Sequence, residues 1–216
     1  YTDYSLLTAD ETLCADVHKV FQQITGMGKK IHPNLLIHAP FNLKKSLLKM
    51  IAEEAAAAEA GKEARIVAKL NALTDPEMIR ALYEASNAGV KVDLIVRGMC
   101  CLRPGIEGVS ENIRVVSIIG RFLEHSRVYY FKNSEQQLYC SSADWMERNL
   151  SNRIEVCFPI LKKKHQSRIL AEIEWHLEDE IQCWELGADG EYIKIQQAAA
   201  QEPTQGVQQR LLEKLA

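Results

Sequence analysis

Apolar and polar positions along the chain follow two periods, one helical and one of strands. Leu13, Val17, Val20, Phe21 and Ile24 recur at helical spacing behind Thr8-Ala9-Asp10-Glu11, whose hydroxyl and carboxylate three positions apart form a capping-box signature. Gly26 and Gly28 predict the end of that helix. Asn34 to His38 reads as a buried strand, Leu43 to Ala60 as an alanine-rich helix closed by Gly61, and Ala64 to Leu70 as a second strand. Thr74-Asp75-Pro76 puts proline at a first helical position, Gly89 stops that helix, and Lys91 to Val96 is a third strand. Short, continuously apolar strands joined by helices in the order βαβαβ predict a parallel sheet covered on both faces, with ligands gathering at the carboxyl ends of its strands.

Ile113 to Ile118, Val128 to Phe131, Gln136 to Cys140 and Arg153 to Ile160 extend the sheet. The last has the alternation of an antiparallel member, so the expected fold is α/β with a mixed, mostly parallel sheet flanked by helices. Lys132-Asn133-Ser134-Glu135 reads as a hairpin turn. Lys162-Lys163-Lys164 reads as a solvated lead-in to a helix from about Gln166 to Trp184, with Ile169, Ile173, Trp175, His176, Leu177 and Ile181 available for its apolar face. From Gln196 on, Ala, Gln, Glu and Pro-Thr-Gln-Gly predict a mobile tail with a short helix at Val207 to Leu215. The expected division is one domain over 1–190 and a tail over 191–216, with no internal repeat.

Composition narrows the function classes. A net charge of −3 argues against bulk affinity for nucleic acid. The longest apolar runs fall short of the roughly 18 to 20 residues a membrane span needs. The chain starts at Tyr1 without an initiator Met or a leader, which reads as a piece of a cytoplasmic enzyme that can sit at a membrane without spanning it. Cys14, Cys100, Cys101, Cys140, Cys157 and Cys183 form no C-x-x-C pair and have no His at zinc spacing, so they read as reduced and mostly buried thiols.

The candidate chemistry is concentrated in Gly120-Arg121-Phe122-Leu123-Glu124-His125-Ser126-Arg127 and in Ser141-Ser142-Ala143-Asp144-Trp145-Met146. An imidazole can exchange a proton near neutral pH, a guanidinium forks onto phosphate oxygens, and small hydroxyl residues let the backbone approach an anion. On a strand, His125 and Arg127 point to one face, and the hairpin after Phe131 returns the serines beside them. His18, His32, His38, His165 and His176 lack such company and read as structural residues. Arg97 directly follows Val92 to Val96, Asn71 follows Ile66 to Leu70, and Ala39-Pro40-Phe41-Asn42 leads into a helix whose free N–H groups attract an anion.

His125-x-Arg127, the serine-rich turn and Asn149 resemble a degenerate H-x-K motif of the phospholipase D superfamily. Longer strings are similar to the C-terminal catalytic region of the long, phosphohistidine-forming family of bacterial polyphosphate kinases. They are Tyr1-Thr2-Asp3-Tyr4-Ser5-Leu6-Leu7-Thr8, Ala39-Pro40-Phe41-Asn42, Leu94-Ile95-Val96-Arg97-Gly98-Met99-Cys100, the two polar clusters, and Arg148-Asn149-Leu150. The hydrolase pattern of the superfamily is broken at two places, where Arg127 and Lys132 replace its Lys and Asp.

The resemblance implies a phospholipase D-like α/β fold and reversible transfer of the ATP γ-phosphate to inorganic polyphosphate. The phosphorylated histidine and the magnesium ligands are expected upstream of Tyr1, so no metal site is expected in this stretch. His125 takes the catalytic role, and Tyr1, Arg97, His125 and Arg127 contact ATP or phosphate, with Asn42 and Asn71 as secondary candidates. The implied partners are ATP or ADP, polyphosphate, the N-terminal remainder of the same protein and, where it oligomerises, further copies of it. Two other classes stay open at this point: a phosphodiesterase half-site completed by a partner chain, and a non-enzymatic polyphosphate-binding module.

Overall fold

The computed structural model describes residues 1–26, 33–195 and 205–215; Gly28, His32 and the 196–204 part of the expected tail lie outside them. The first helix, α1 (Glu11–Ile24), is capped by Asp10, whose carboxylate accepts from the Leu13 N–H at 2.9 Å. Thr8 instead takes the Asp10 N–H on its hydroxyl at 3.1 Å, so the cap lies two residues later than the box suggests. Only Leu13, Asp16 and Val20 of α1 are buried, while Val17, Phe21 and Ile24 are exposed. The face turns because Asp16 points inward, accepting from the N–H groups of Asn34, Leu35 and Leu36 at 2.8, 2.7 and 3.1 Å.

Then follow β1 (Ile37–Ala39), α2 (Leu43–Glu59), β2 (Arg65–Leu70), α3 (Pro76–Asn87), β3 (Lys91–Val96), β4 (Ile113–Ile118), β5 (Arg127–Phe131), β6 (Leu138–Ser141) and a π-helical turn at Arg148–Asn152. β7 (Glu155–Pro159), α4 (Lys163–Leu177), β8 (Cys183–Leu186), β9 (Tyr192–Lys194) and α5 (Val207–Leu215) complete the order. The strands form one mixed sheet in the order β1-β7-β6-β5-β2-β3-β4-β8-β9.

Between the strands named above, parallel pairing is confined to β2–β3 and β3–β4, so the sheet is mixed but not mostly parallel. β1 and β2 are not neighbours, because the antiparallel β5 takes the free edge of β2 and β6 and β7 stack beyond it. Three-residue β1 is left at the margin, antiparallel to β7. β7 is antiparallel on both sides, as its alternation predicts.

Alternate residues of the central strands serve two cores, which is why these strands read as unbroken apolar runs. Ile66, Ala68, Leu70, Val92, Leu94 and Val96 pack with Leu43, Leu47, Ile51, Met78 and Leu82 of α2 and α3. Val67, Ile95, Val116 and Val128 face Ile169, Ile173 and Leu177 of α4 and Val207 of α5. Among the described residues no helix is long and apolar enough to cross a membrane.

The chain departs from the sequence reading most after Leu177. α4 ends there because the buried Asp179 carboxylate captures the N–H groups of Ile181 and Gln182 at 2.7 and 2.6 Å and turns the chain back into β8, where Trp184 pairs with Ser117 of β4. β9 then extends the sheet, and α5 docks on α4 through Arg210 and Lys214, whose cationic groups lie 3.8 and 4.3 Å from the Trp175 ring centre. The boundary at 190 therefore falls inside the sheet, and the described parts of 191–216 belong to the domain. All six cysteines are free thiols; Cys140, Cys157 and Cys183 are buried, and Cys14 and Cys101 are exposed.

Candidate functional site

One end of the sheet collects the polar residues singled out in the sequence. The carboxyl ends of β2 and β3 and the amino end of the antiparallel β5 meet there, because Leu70 pairs with Val96 and Lys69 with Val128. The β5–β6 hairpin sets Ser141 opposite Arg127, so the two polar clusters form one site.

His125 stands in irregular backbone just before β5, stitched to the start of the chain. Its N–H and that of Ser126 donate to the Thr2 carbonyl at 3.1 and 3.0 Å, and the Thr2 N–H donates to the Leu123 carbonyl at 2.9 Å. This stitching places Tyr1 edge-on to the His125 ring, with centroids 4.9 Å apart and planes at 84°. It also sets the Asp3 carboxylate 2.8 Å from His125 Nδ1. A proton on Nδ1 is then held by Asp3, and Nε2 is left with its lone pair on an imidazole that is one-third exposed. Asp3 lies within a string quoted above, but no signal in the sequence distinguishes its role from that of its neighbours.

Arg97 follows β3 directly, and its backbone is fixed by Arg97 N–H to the Leu70 carbonyl at 3.1 Å and by the Ser117 hydroxyl on its own carbonyl at 3.1 Å. Its half-buried guanidinium makes no hydrogen bond or ion pair with a described residue. A positioned, unpaired fork is what a phosphate group requires.

Arg127 is placed differently from the sequence expectation. Its Nε and Nη2 donate to the two Asp144 carboxylate oxygens at 3.2 and 3.0 Å, and its Nη1 donates to the His125 carbonyl at 3.0 Å. Nη1 also lies 3.4 and 3.3 Å from the two ring nitrogens of His125, so the guanidinium is laid against the imidazole. The fork of Arg127 is thus engaged by the buried Asp144 carboxylate, and its remaining nitrogen lies against His125. The same Asp144 accepts from the Asn71 N–H at 2.7 Å, joining the end of β2 to the serine turn. The Asn71 amide lies between Arg127 and the Glu124 carbonyl; with its oxygen toward Arg127 Nε at 2.9 Å and its nitrogen toward Glu124 O at 2.8 Å, both ends are satisfied.

Asn42 lies at the same sheet end but not at the same place. Its Oδ1 closes the turn by accepting from the His38 N–H at 2.8 Å. β1 is separated from β5 by β7 and β6, which sets it roughly 14 Å from the His125 strand at about 4.8 Å per strand. Between them Glu155 accepts from Asn149 Nδ2 at 2.7 Å and from the Ser142 hydroxyl, so the serine turn and Asn149 form a subcluster beside β1.

Beneath His125 lies a buried layer that the sequence reading missed. Lys69, 2% exposed, is 2.9 Å from Glu124 Oε2 and donates to the Ser126 hydroxyl at 2.7 Å. Glu124 also accepts from the Thr2 hydroxyl at 2.7 Å and Gln208 Nε2 at 2.7 Å, and lies 3.3 Å from His176 Nε2. Burial opposes its ionisation, but the contacts from His176, Lys69 and Thr2 prevail and hold the carboxyl well below the usual range. Burial pulls the Lys69 ammonium below its ordinary value, with Glu124 acting against it. Of the other histidines, His38 and His176 are buried in structural settings, and His18 and His165 are exposed.

The chain is similar to known proteins over its whole length. The family described as polyphosphate kinase C-terminal domain 2 matches residues 36–207. A polyphosphate kinase of Pseudomonas aeruginosa is 60% identical over 217 residues, covering 100% of this chain and 31% of that protein. One from Burkholderia cenocepacia is 54% identical, covering 89% of this chain and 28% of that protein. Among solved structures, the polyphosphate kinase of Porphyromonas gingivalis superposes with a TM-score of 0.91 at 34% identity, over 96% of this chain and 32% of that one. NucT from Helicobacter pylori, at 16% identity and a TM-score of 0.51, shares the fold. The chain thus spans about a third of the length of the polyphosphate kinases it matches.

Proposed function

The chain belongs to the family of polyphosphate kinase C-terminal domains, and we propose that it supplies one half of a phosphoryl-transfer site in a longer polyphosphate kinase. The reaction is reversible transfer of the γ-phosphoryl group of ATP to the end of inorganic polyphosphate, through a phosphohistidine in the part of the protein outside these residues. Arg97 holds phosphate oxygens with its unpaired fork. Tyr1, against the His125 ring, lies at the nucleotide or the phosphate chain. His125, oriented by Asp3 and supported from behind by Arg127, exchanges a proton with the entering or departing phosphate oxygen through Nε2. Asn71 keeps Arg127 and the loop backbone in register, and Asn42 is a more distant contact for an extended anion.

The observation that carries this reading is the presence, at one sheet end, of an oriented, partly exposed imidazole and an Arg fork that no described residue engages. Phosphoryl transfer requires positioned charge more than further covalent chemistry. Among the described residues no three His, Cys, Asp or Glu side chains lie close enough to hold a metal ion. Magnesium would supply charge neutralisation on the phosphates, and its ligands are assigned to the remainder of the enzyme.

The test is to incubate the full-length protein with ATP and magnesium and follow polyphosphate formation. Synthesis supports the reading. Hydrolysis of a nucleotide diester without polyphosphate would transfer the chain to the phosphodiesterases, and binding of polyphosphate without turnover would make it a binding module.

A further inference from the structure

The backbone that carries His125 has few ties of its own. From 119 to 126 it forms no regular strand, and its backbone-to-backbone bonds to described residues are the three with Thr2 and one from the Ile119 N–H to the Gln182 carbonyl at 2.9 Å; the Arg127 and Asn71 side chains hold the carbonyls of His125 and Glu124. Residue 122, which none of these bonds reaches, is held from α5. Gln208, 3% exposed, donates from Nε2 to the Phe122 carbonyl at 2.8 Å and to Glu124 Oε1 at 2.7 Å, while its Oε1 accepts from the Phe122 N–H at 2.9 Å. One amide thus grips both backbone groups of residue 122 and the side chain of residue 124.

The loop is shaped to receive it. A Cβ at Gly120 would stand 2.1 Å from Gln182 Nε2 and 2.5 Å from Gln208 Oε1, so glycine leaves the space in which the two amides meet the backbone. The helix is itself anchored at both ends. Asp179, which ends α4, also accepts from the Val207 N–H, and Arg210 and Lys214 lie over the Trp175 ring.

We propose that α5 is a clasp for the loop bearing His125, and that Gln208 is its positioning residue. It fixes Phe122 to Glu124, and through them the distance from His125 to Asp3 and to the phosphate. The inference rests on the role given to His125 above. Gln208 touches no reacting atom, so its loss changes turnover through geometry, and a displacement on the order of 1 Å in such a loop is enough to cost about a hundredfold.

The experiment uses the full-length enzyme with Gln208→Ala, and Gln209→Ala as a control on the exposed side of the helix, where its side chain reaches only Glu213. Gln208→Ala is expected to raise amide exchange in 120–126 and to lower kcat about tenfold or more at nearly constant KM for ATP, whereas Gln209→Ala leaves exchange in 120–126 and kcat at the wild-type level. Unchanged exchange in 120–126, or a kcat equal to wild type, overturns the proposal.

Should Gln208→Ala fail to fold, Gln208→Glu gives the reading. It keeps the acceptor for the Phe122 N–H but sets a second carboxylate against Glu124, among Lys69, His176 and Thr2. Its kcat must then fall relative to wild type as pH rises and the two carboxylates repel; a profile parallel to wild type overturns the clasp. If wild type makes no polyphosphate, the functional reading fails, yet amide exchange still reports on the clasp.

Discussion

An imidazole that donates from Nδ1 to a carboxylate is held in one tautomer and one orientation, and here that carboxylate is Asp3. In the full-length enzyme Asp3→Asn keeps the shape but removes the acceptor that selects the tautomer, so kcat should drop by at least about tenfold while Tm is preserved; steady-state kinetics beside a thermal melt checks this. Arg97→Lys keeps the charge and loses the fork, with an expected loss of about 1.5 to 3 kcal/mol in transition-state stabilisation, read from kcat/KM. That the two polar clusters meet at one sheet end was legible, because each is a short string and the hairpin between them returns one beside the other. The partner of Arg127 was not, since the fork that suits a phosphate suits a carboxylate equally, and only the fold shows that Asp144 occupies it. Asp3 was equally hidden, because its partner lies 122 positions away.

At the scale of elements, the buried Lys69–Glu124 pair joins β2 to the His125 loop and to α4 and α5. Glu124 has a folded pKa below its ordinary value of 4.5, so its contribution to stability is complete above that value and is lost as pH falls below it toward the folded pKa. Glu124→Gln leaves the buried Lys69 without its counter-charge, with an expected cost of about 3 to 5 kcal/mol near neutral pH. Its Tm should also depend less on acid than that of wild type; melts between about pH 7 and pH 3 test this, and equal slopes would contradict it. Strands β3 and β4 were readable to the residue because their apolar runs are bounded by glycine and polar turns. The end of α4 was not, since Ile181 and Trp184 continue an apolar pattern that Asp179 interrupts by capturing backbone N–H groups. Sheet order was invisible for a similar reason: local periodicity reports that a strand is buried, not which strand lies beside it.

At the scale of the molecule, the described residues form one sheet with a core on each face and a smaller cluster under α1, and the His125 cluster lies at one end, in a chain that covers 31% of its Pseudomonas aeruginosa relative. On its own it should fold cooperatively, yet acquire no acid-labile phosphate from labelled ATP and magnesium; strong labelling of His125 would show that its role is covalent. The central claim is that His125 takes part in transfer without holding up the fold. The most direct measurement is polyphosphate synthesis and Tm on one preparation of full-length His125→Gln, which keeps much of the size and removes the titrating proton. The account predicts a turnover lower by about 10² to 10⁴ with little change in Tm. Activity within a few-fold of wild type, or activity lost only together with the fold, would contradict it.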